Sequence, residues 1–234
     1  KAFASGRIKV FYAVPDFHNP SGRCWSLEKR RQVAALCQKH NIVLLEDAPY
    51  RDLRFSGEQL PLVSSFCPDH SIVLHSFSKS IVPGIRVGAM VLPQRWSDAV
   101  TKIKQASDLH SNVPMQELVL QLLNHPDYPR HLQATTELYR SRYEVLAGEL
   151  ERELEPGSSF EPVAGGMFIW LQLPGADSMD LAAKALEQGL AVVPSESFYA
   201  DATDKPAALR LNFSHTAPEE IPEAVQRLKR VIAM

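Results

Sequence analysis

Cysteine is scarce in this chain of 234 residues: Cys24, Cys37 and Cys67 are all it has. Their odd number and lack of metal-type spacing fit a reducing cytoplasm better than a disulfide scaffold. An excess of one charge is missing too. With 25 basic and 27 acidic residues the formal net charge is −2, so nothing favours nucleic acid or an anionic membrane as a partner. No apolar run approaches the length that crosses a bilayer. No secretory leader opens the chain, because Lys1-Ala2-Phe3-Ala4 is too short and gives way to polar residues. An initiating methionine is lacking as well, and the chain is read as the later part of a longer one. There is no internal repeat and no low-complexity tract.

What is present is an alternation of apolar runs and amphipathic stretches. The composition, 45% hydrophobic and 22% charged, is that of a globular protein large enough for one big domain or two smaller ones. Residues 8–14, 42–45, 72–74 and 87–92 predict four strands. Ser26 caps a helix that Asn41 ends, and the entirely apolar run 42–45 suits a parallel strand covered on both faces. Strand, helix and strand with short links predict a βαβ layout and a mainly parallel sheet. Helices are expected over 94–107 and 114–124. A long one is expected from about 129 to 155, with Leu132, Leu138, Tyr139, Tyr143, Leu146 and Leu150 as its apolar stripe and Pro156-Gly157 as its stop. Strands at 167–173, 190–193 and 208–213 and helices at 179–188 and 218–232 then describe a smaller α+β domain. The expected domains are 1–128 and 129–234, with the boundary in the long helix.

The first three strands each run out into polar residues: Asn19, then Asp47 and Tyr50, then Ser76, Ser78 and Lys79. In open parallel sheets ligands bind beyond the carboxyl ends of the strands, so these residues should converge. Lys79 loses hydration at the mouth of a buried strand and meets cation repulsion from Arg86; both favour the neutral amine, which can attack a carbonyl. Ser76, Ser78 and Arg86 offer hydroxyl donors and a forked cation for a phosphate, with Gly84 expected to supply the turn that aims Arg86. Asp47, after four apolar residues and Glu46, is costly there without a positive partner. Tyr50 and Asn19 can donate to a phenolate oxygen. Taken singly, each has a commoner explanation: a loop lysine, a turn aspartate, a packing tyrosine, a turn asparagine. Together they meet the polar demands of pyridoxal 5′-phosphate (PLP), for which a Schiff-base lysine and an aspartate on the pyridine nitrogen are signatures.

The motifs PDFHNPSG, EDAPY, SFSKSIVPGIRVG, GGMFIWL and RLNFSH, in this order and nearly spanning the chain, resemble the fold-type I PLP-dependent aminotransferases of class I/II. The branch with 2-aminoadipate and kynurenine-type enzymes is most similar, and the same fold forms the effector domain of MocR-type regulators. The resemblance implies an α/β fold, a partial PLP-binding large domain followed by the small domain. It implies that Lys79 carries the cofactor and moves the proton at the substrate Cα, and that Asp47 keeps the ring nitrogen protonated. Asn19 and Tyr50 would bond the phenolic oxygen, and Ser76, Ser78 and Arg86 the phosphate. Arg210 would clamp the substrate carboxylate, although its strand position alone reads as a surface arginine. Gly165 and Gly166 serve either close backbone approach or a plain turn, and Asn112 either the site or a helix cap.

The implied reaction is ping-pong transamination between an amino acid and a 2-oxo acid such as 2-oxoglutarate, in a cytoplasmic homodimer. The alternatives are a MocR-type effector domain, with a DNA-binding domain ahead of Lys1, and a PLP lyase on the same fold. His18, His75, His110 and His125 show no metal spacing. The family is about twice as long, the absent part preceding Lys1 and bearing the rest of the phosphate loop, the ring stacked on the cofactor and the substrate lid.

Overall fold

The computed structural model describes residues 2–154, 157–201 and 205–234. They form two units, Lys1–Asp16 with Cys24–Ala134, and Phe17–Arg23 with Thr135–Met234. The division falls after Ala134, within the long helix, rather than after residue 128, and the turn Phe17–Arg23 joins the second unit.

In the first unit β1 (Val10–Ala13), β2 (Val43–Asp47), β3 (Ser71–Ser76) and β4 (Gly88–Val91) form one sheet in that order. The first three strands are parallel; β4 runs antiparallel to β3. Helix α1 (Leu27–His40) links β1 to β2. Ser26 accepts a hydrogen bond from the Lys29 amide and Asn41 closes the other end in the left-handed region, φ 50°, as the cap residues predict. Ala34 and Cys37 of the helix pack with Ala13, Ile42, Leu44, Val63 and Cys67. Each large apolar side chain buried there contributes about 1.5–3 kcal/mol.

The β2 strand is not covered on both faces. Leu44 and Glu46 are fully buried on the helix side, while Leu45 and Asp47 are half-buried on the other. The buried carboxylate of this strand is therefore Glu46, and amides rather than a cation meet its charge: it accepts from Val63 N at 2.9 Å and Ser64 N at 2.7 Å. These are the first two amides of a 3₁₀ turn, Val63–Phe66, whose N–H groups need acceptors.

A second buried ionic group follows β1. Asp16 is 1% exposed and Arg30, in mid-α1, is not exposed at all. Arg30 grips Asp16 with both terminal nitrogens, at 2.7 and 3.2 Å, and donates to the carbonyls of Trp25, Pro15 and Pro61. Arg51 adds a third bond to Asp16 at 3.0 Å. A buried charge pair is stable only when its remaining donors are satisfied, as they are here.

Helices α2 (Gln94–Asp108) and α3 (Val113–Asn124) follow. Asn112 caps α3 by accepting from Met115 N. Val119 of α3 packs on Ile85 and Val87 in a small second core. The long helix α4 covers Tyr128–Glu153. Its expected end at Glu155 and stop at Pro156 lie outside the described residues.

The second unit holds β5 (Phe168–Gln172), α5 (Ser178–Glu187), β6 (Val193–Pro194), β7 (Ala208–Asn212) and α6 (Ile221–Ile232). The sheet order is β5-β7-β6, all antiparallel. The expected strand over 190–193 shrinks to two residues. Leu190 N is used by Ala185 O at the end of α5, and Pro194 has no N–H with which to continue a ladder. Ile221, Val225, Leu228 and Val231 of α6 are buried, as are Leu146 and Leu150 of the α4 stripe; Leu138 of that stripe is exposed. Among the described residues no helix is long and apolar enough to cross a membrane.

Replacing Arg30 by methionine leaves Asp16 buried with fewer donors and takes one hydrogen bond from each of three carbonyls. We expect a loss of about 3 kcal/mol in unfolding free energy, read from urea denaturation, with Glu28→Ala as an exposed control near zero.

Candidate active site

The sheet order brings polar residues to one end of the first unit. The parallel register sets Asp47 opposite Leu74 of β3. Two residues later β3 ends at Ser76, which pairs with Gly88 at the start of β4. Because β4 is antiparallel, Arg86, just before it, lies at that same end.

Ser76 Oγ accepts from Ser78 N at 3.3 Å. Ser78 Oγ accepts from Arg86 Nη1 at 3.4 Å, and the same nitrogen bonds the Pro83 carbonyl at 3.3 Å. Both serine hydroxyl protons remain available to donate. Lys79 is half-buried, and among the described residues its side-chain nitrogen has no hydrogen bond and no ion pair. Arg86 has no carboxylate partner among them either. The device that aims Arg86 is not Gly84. Gly84 sits in a 3₁₀ turn, Pro83–Ile85, and a Cβ there would meet nothing within 4 Å. The left-handed residue is Arg86 itself, at φ 52°, which reverses the chain between the turn and β4.

Asp47 Oδ2 accepts from the Tyr12 hydroxyl at 2.6 Å. Its other oxygen has no hydrogen bond among the described residues. Burial, then the hydrogen bond to Asp47, push the Tyr12 phenol well above its ordinary range, and Tyr50 is close enough to add to the effect. Tyr12, Asp47 and Tyr50 thus form one group. Tyr50 is buried.

Asn19 and Arg210 belong to the second unit, where they meet: Arg210 Nη1 donates to Asn19 Oδ1 at 2.9 Å. The Arg210 guanidinium lies 4.5 Å from the centre of the Phe168 ring and 5.2 Å from that of Phe198, stacking that holds a planar cation in one orientation. Of the two glycines before β5, Gly166 is required for close approach: at φ +77° its Cβ would fall 2.6 Å from Phe17 Cβ. His18 bonds Ser21 through Nδ1 at 2.9 Å; burial, with Arg23 second, lowers its pKa. A cavity of about 730 Å³ in this unit, walled by Leu190, Phe213, Ile221 and Leu228 among others, contains none of the eight expected site residues.

Three residues escaped the sequence reading. Tyr12 is exposed and sits in an apolar run, so only strand register reveals its bond to Asp47. Asp16 lies within PDFHNPSG but was given no role there, Arg30 lies in no motif, and their burial is what singles them out.

A family profile for aminotransferase class I and II matches residues 4–228. The chain belongs to the class I and II aminotransferases. This family is PLP-dependent. The aromatic-amino-acid aminotransferase 1 of Thermococcus litoralis is 30% identical over 97% of the chain and 54% of its own length. The crystal structure of Pyrococcus horikoshii kynurenine aminotransferase in complex with PMP superposes with a TM-score of 0.93 and 32% identity, over 98% of the chain and 57% of that structure. An HTH-type transcriptional regulator of Bacillus subtilis is 29% identical over 96% of the chain and 48% of its own length. The chain therefore spans about half the length of the curated relatives it matches.

The chain has residues that fit the cofactor. Among the described residues one Asp47 oxygen has no hydrogen bond, which suits a protonated ring nitrogen, and Arg86 has no carboxylate and lies beside two hydroxyls, which suits a phosphate dianion.

Two outcomes follow. Gly84→Ala is expected to leave PLP affinity and stability unchanged to within about 0.5 kcal/mol, measured by cofactor titration and thermal melting. His18 is stabilised neutral, so its contribution is complete above 6.5, its ordinary pKa, and is lost as pH falls below that value. Stability measured from pH 8 to 5 should fall less steeply in His18→Asn.

Proposed function

We propose that the full-length protein catalyses transamination, moving the amino group of an amino acid to a 2-oxo acid, with 2-oxoglutarate as acceptor, in two ping-pong half-reactions. The observation that carries this reading is the charge arrangement at the end of the first sheet. Among the described residues Asp47 has an oxygen without a hydrogen bond, Arg86 has no carboxylate and the Lys79 nitrogen makes no hydrogen bond or ion pair. One cationic ring nitrogen and one phosphate dianion complement them.

When bound, the cofactor supplies an electron sink that lets the substrate Cα–H ionise. The chain's own groups do the rest. Arg86, Ser76 and Ser78 hold the phosphate, and Asp47 keeps the ring nitrogen protonated. Tyr50 and Asn19 donate to the phenolic oxygen. Lys79 Nζ would hold the cofactor through its aldehyde and, once freed, would carry the proton between the substrate Cα and the carbon on the far side of the amino nitrogen. Arg210, oriented by Asn19 and Phe168, receives the α-carboxylate through two parallel bonds.

Family usage supports a homodimer, and three cysteines that form no disulfide among the described residues support a cytoplasmic setting. The names of the relatives put aromatic donors first among candidates. A second reading has support from the Bacillus regulator: an effector domain that binds PLP and follows a DNA-binding domain.

The test is a donor panel on the full-length protein: aromatic, aliphatic and acidic amino acids with 2-oxoglutarate, scored as glutamate formed. We expect glutamate from at least one donor, parallel double-reciprocal plots, and no activity in Lys79→Ala, which also loses the imine absorbance of bound PLP. A full-length protein that binds PLP and DNA but forms no glutamate would establish the regulatory reading instead. Product without dependence on 2-oxoglutarate would mean a lyase.

A further inference from the structure

We propose that the Tyr12 hydroxyl is a positioning group for Asp47: it fixes one carboxylate oxygen, so that the other faces the cofactor's ring nitrogen as a fixed anionic acceptor. The proposal rests on the assignment of Asp47 to that nitrogen.

The placement follows from the parallel register. Tyr12 stands opposite Leu45, and Leu45 and Asp47, two residues apart on one strand, share a face. Two residues span about 6.6 Å, roughly the reach of a tyrosine side chain, and the hydroxyl ends 2.6 Å from Asp47 Oδ2. The neighbouring carboxylate, Glu46, points to the opposite face and is taken up by two amides, so it does not compete for either group. Nothing else among the described residues bonds Asp47.

A hydrogen bond of this kind does two things. An aspartate carboxylate turns easily about its last torsion, and a donor on one oxygen stops that rotation. A short O–H···O⁻ bond also occupies that oxygen and leaves the other as the one acceptor turned toward the ring nitrogen. Tyr12 can serve throughout the working range because burial and Asp47 itself hold its own proton in place. A tyrosine that merely stapled β1 to β2 would supply the bond but would have no bearing on the ring nitrogen.

The two roles separate in a comparison of cofactors. The dissociation constants of PLP and of 1-deaza-PLP, in which a C–H replaces the ring nitrogen, are measured by spectroscopic titration of the full-length apoprotein. The proteins are wild type, Tyr12→Phe and Asp47→Ala. The wild type should prefer PLP, and Asp47→Ala should abolish the preference. Tyr12→Phe should lower it about tenfold, the scale of one charge-assisted hydrogen bond, while binding 1-deaza-PLP within about twofold of wild type. That unchanged constant also certifies the fold of the variant. If Tyr12→Phe weakens both cofactors equally, or neither, while Asp47→Ala removes the preference, Tyr12 is a strand staple and the proposal fails with the Asp47 assignment intact. If Asp47→Ala keeps the wild-type preference, the assignment itself is wrong and the role of Tyr12 goes with it.

Discussion

Unmatched charge at the end of a mainly parallel sheet is the constraint that organises the first unit. A folded protein ordinarily satisfies each buried carboxylate internally, and this one does so for Asp16 and Glu46. Among the described residues it leaves one oxygen of the half-buried Asp47 unbonded and gives neither Lys79 nor the exposed Arg86 a carboxylate. The contrast is informative because Glu46 and Asp47 are adjacent in sequence and all three carboxylates differ in what meets them. Asp16 takes three arginine-donated bonds and Glu46 two amide bonds, and both are sealed. Asp47 takes a single phenol bond and keeps an oxygen available. The sealed groups fix the loop after β1 and the 3₁₀ turn beside β2, and that rigid frame lets the open one stand at a defined place.

The second unit treats its own cation differently. Arg210 is braced on the Phe168 and Phe198 rings and bonded to the Asn19 amide oxygen, which holds its planar cation in one orientation.

The fold class was legible because the apolar runs and their punctuation are local signals. Ser26, Asn41 and Asn112 cap helices for reasons written in their own side chains. The loop from Ser76 to Arg86 was legible for the same reason: its chemistry is contiguous. What sequence reading missed depends on register or parity. Strand alternation decides that Glu46 rather than Asp47 is buried, and strand alignment decides that Tyr12 reaches Asp47. Gly84 drew attention as the flexible residue before Arg86, yet backbone freedom was needed two residues later, at a residue that pays a steric cost for it. The short β6 was missed because a carbonyl at the end of α5 outcompetes the sheet for Leu190 N, a tertiary choice that strand propensity does not record.

Arg86 in the left-handed region carries a final implication. An ordinary side chain holds that conformation only at a penalty of order 1 kcal/mol, so the backbone there has few alternatives once the flanking strands are in place. A guanidinium mounted on so constrained a point starts from a fixed Cα position, so the backbone share of its ordering is already complete on folding. An anion captured by it then meets a rigid receptor, and the association need not wait for a loop to close.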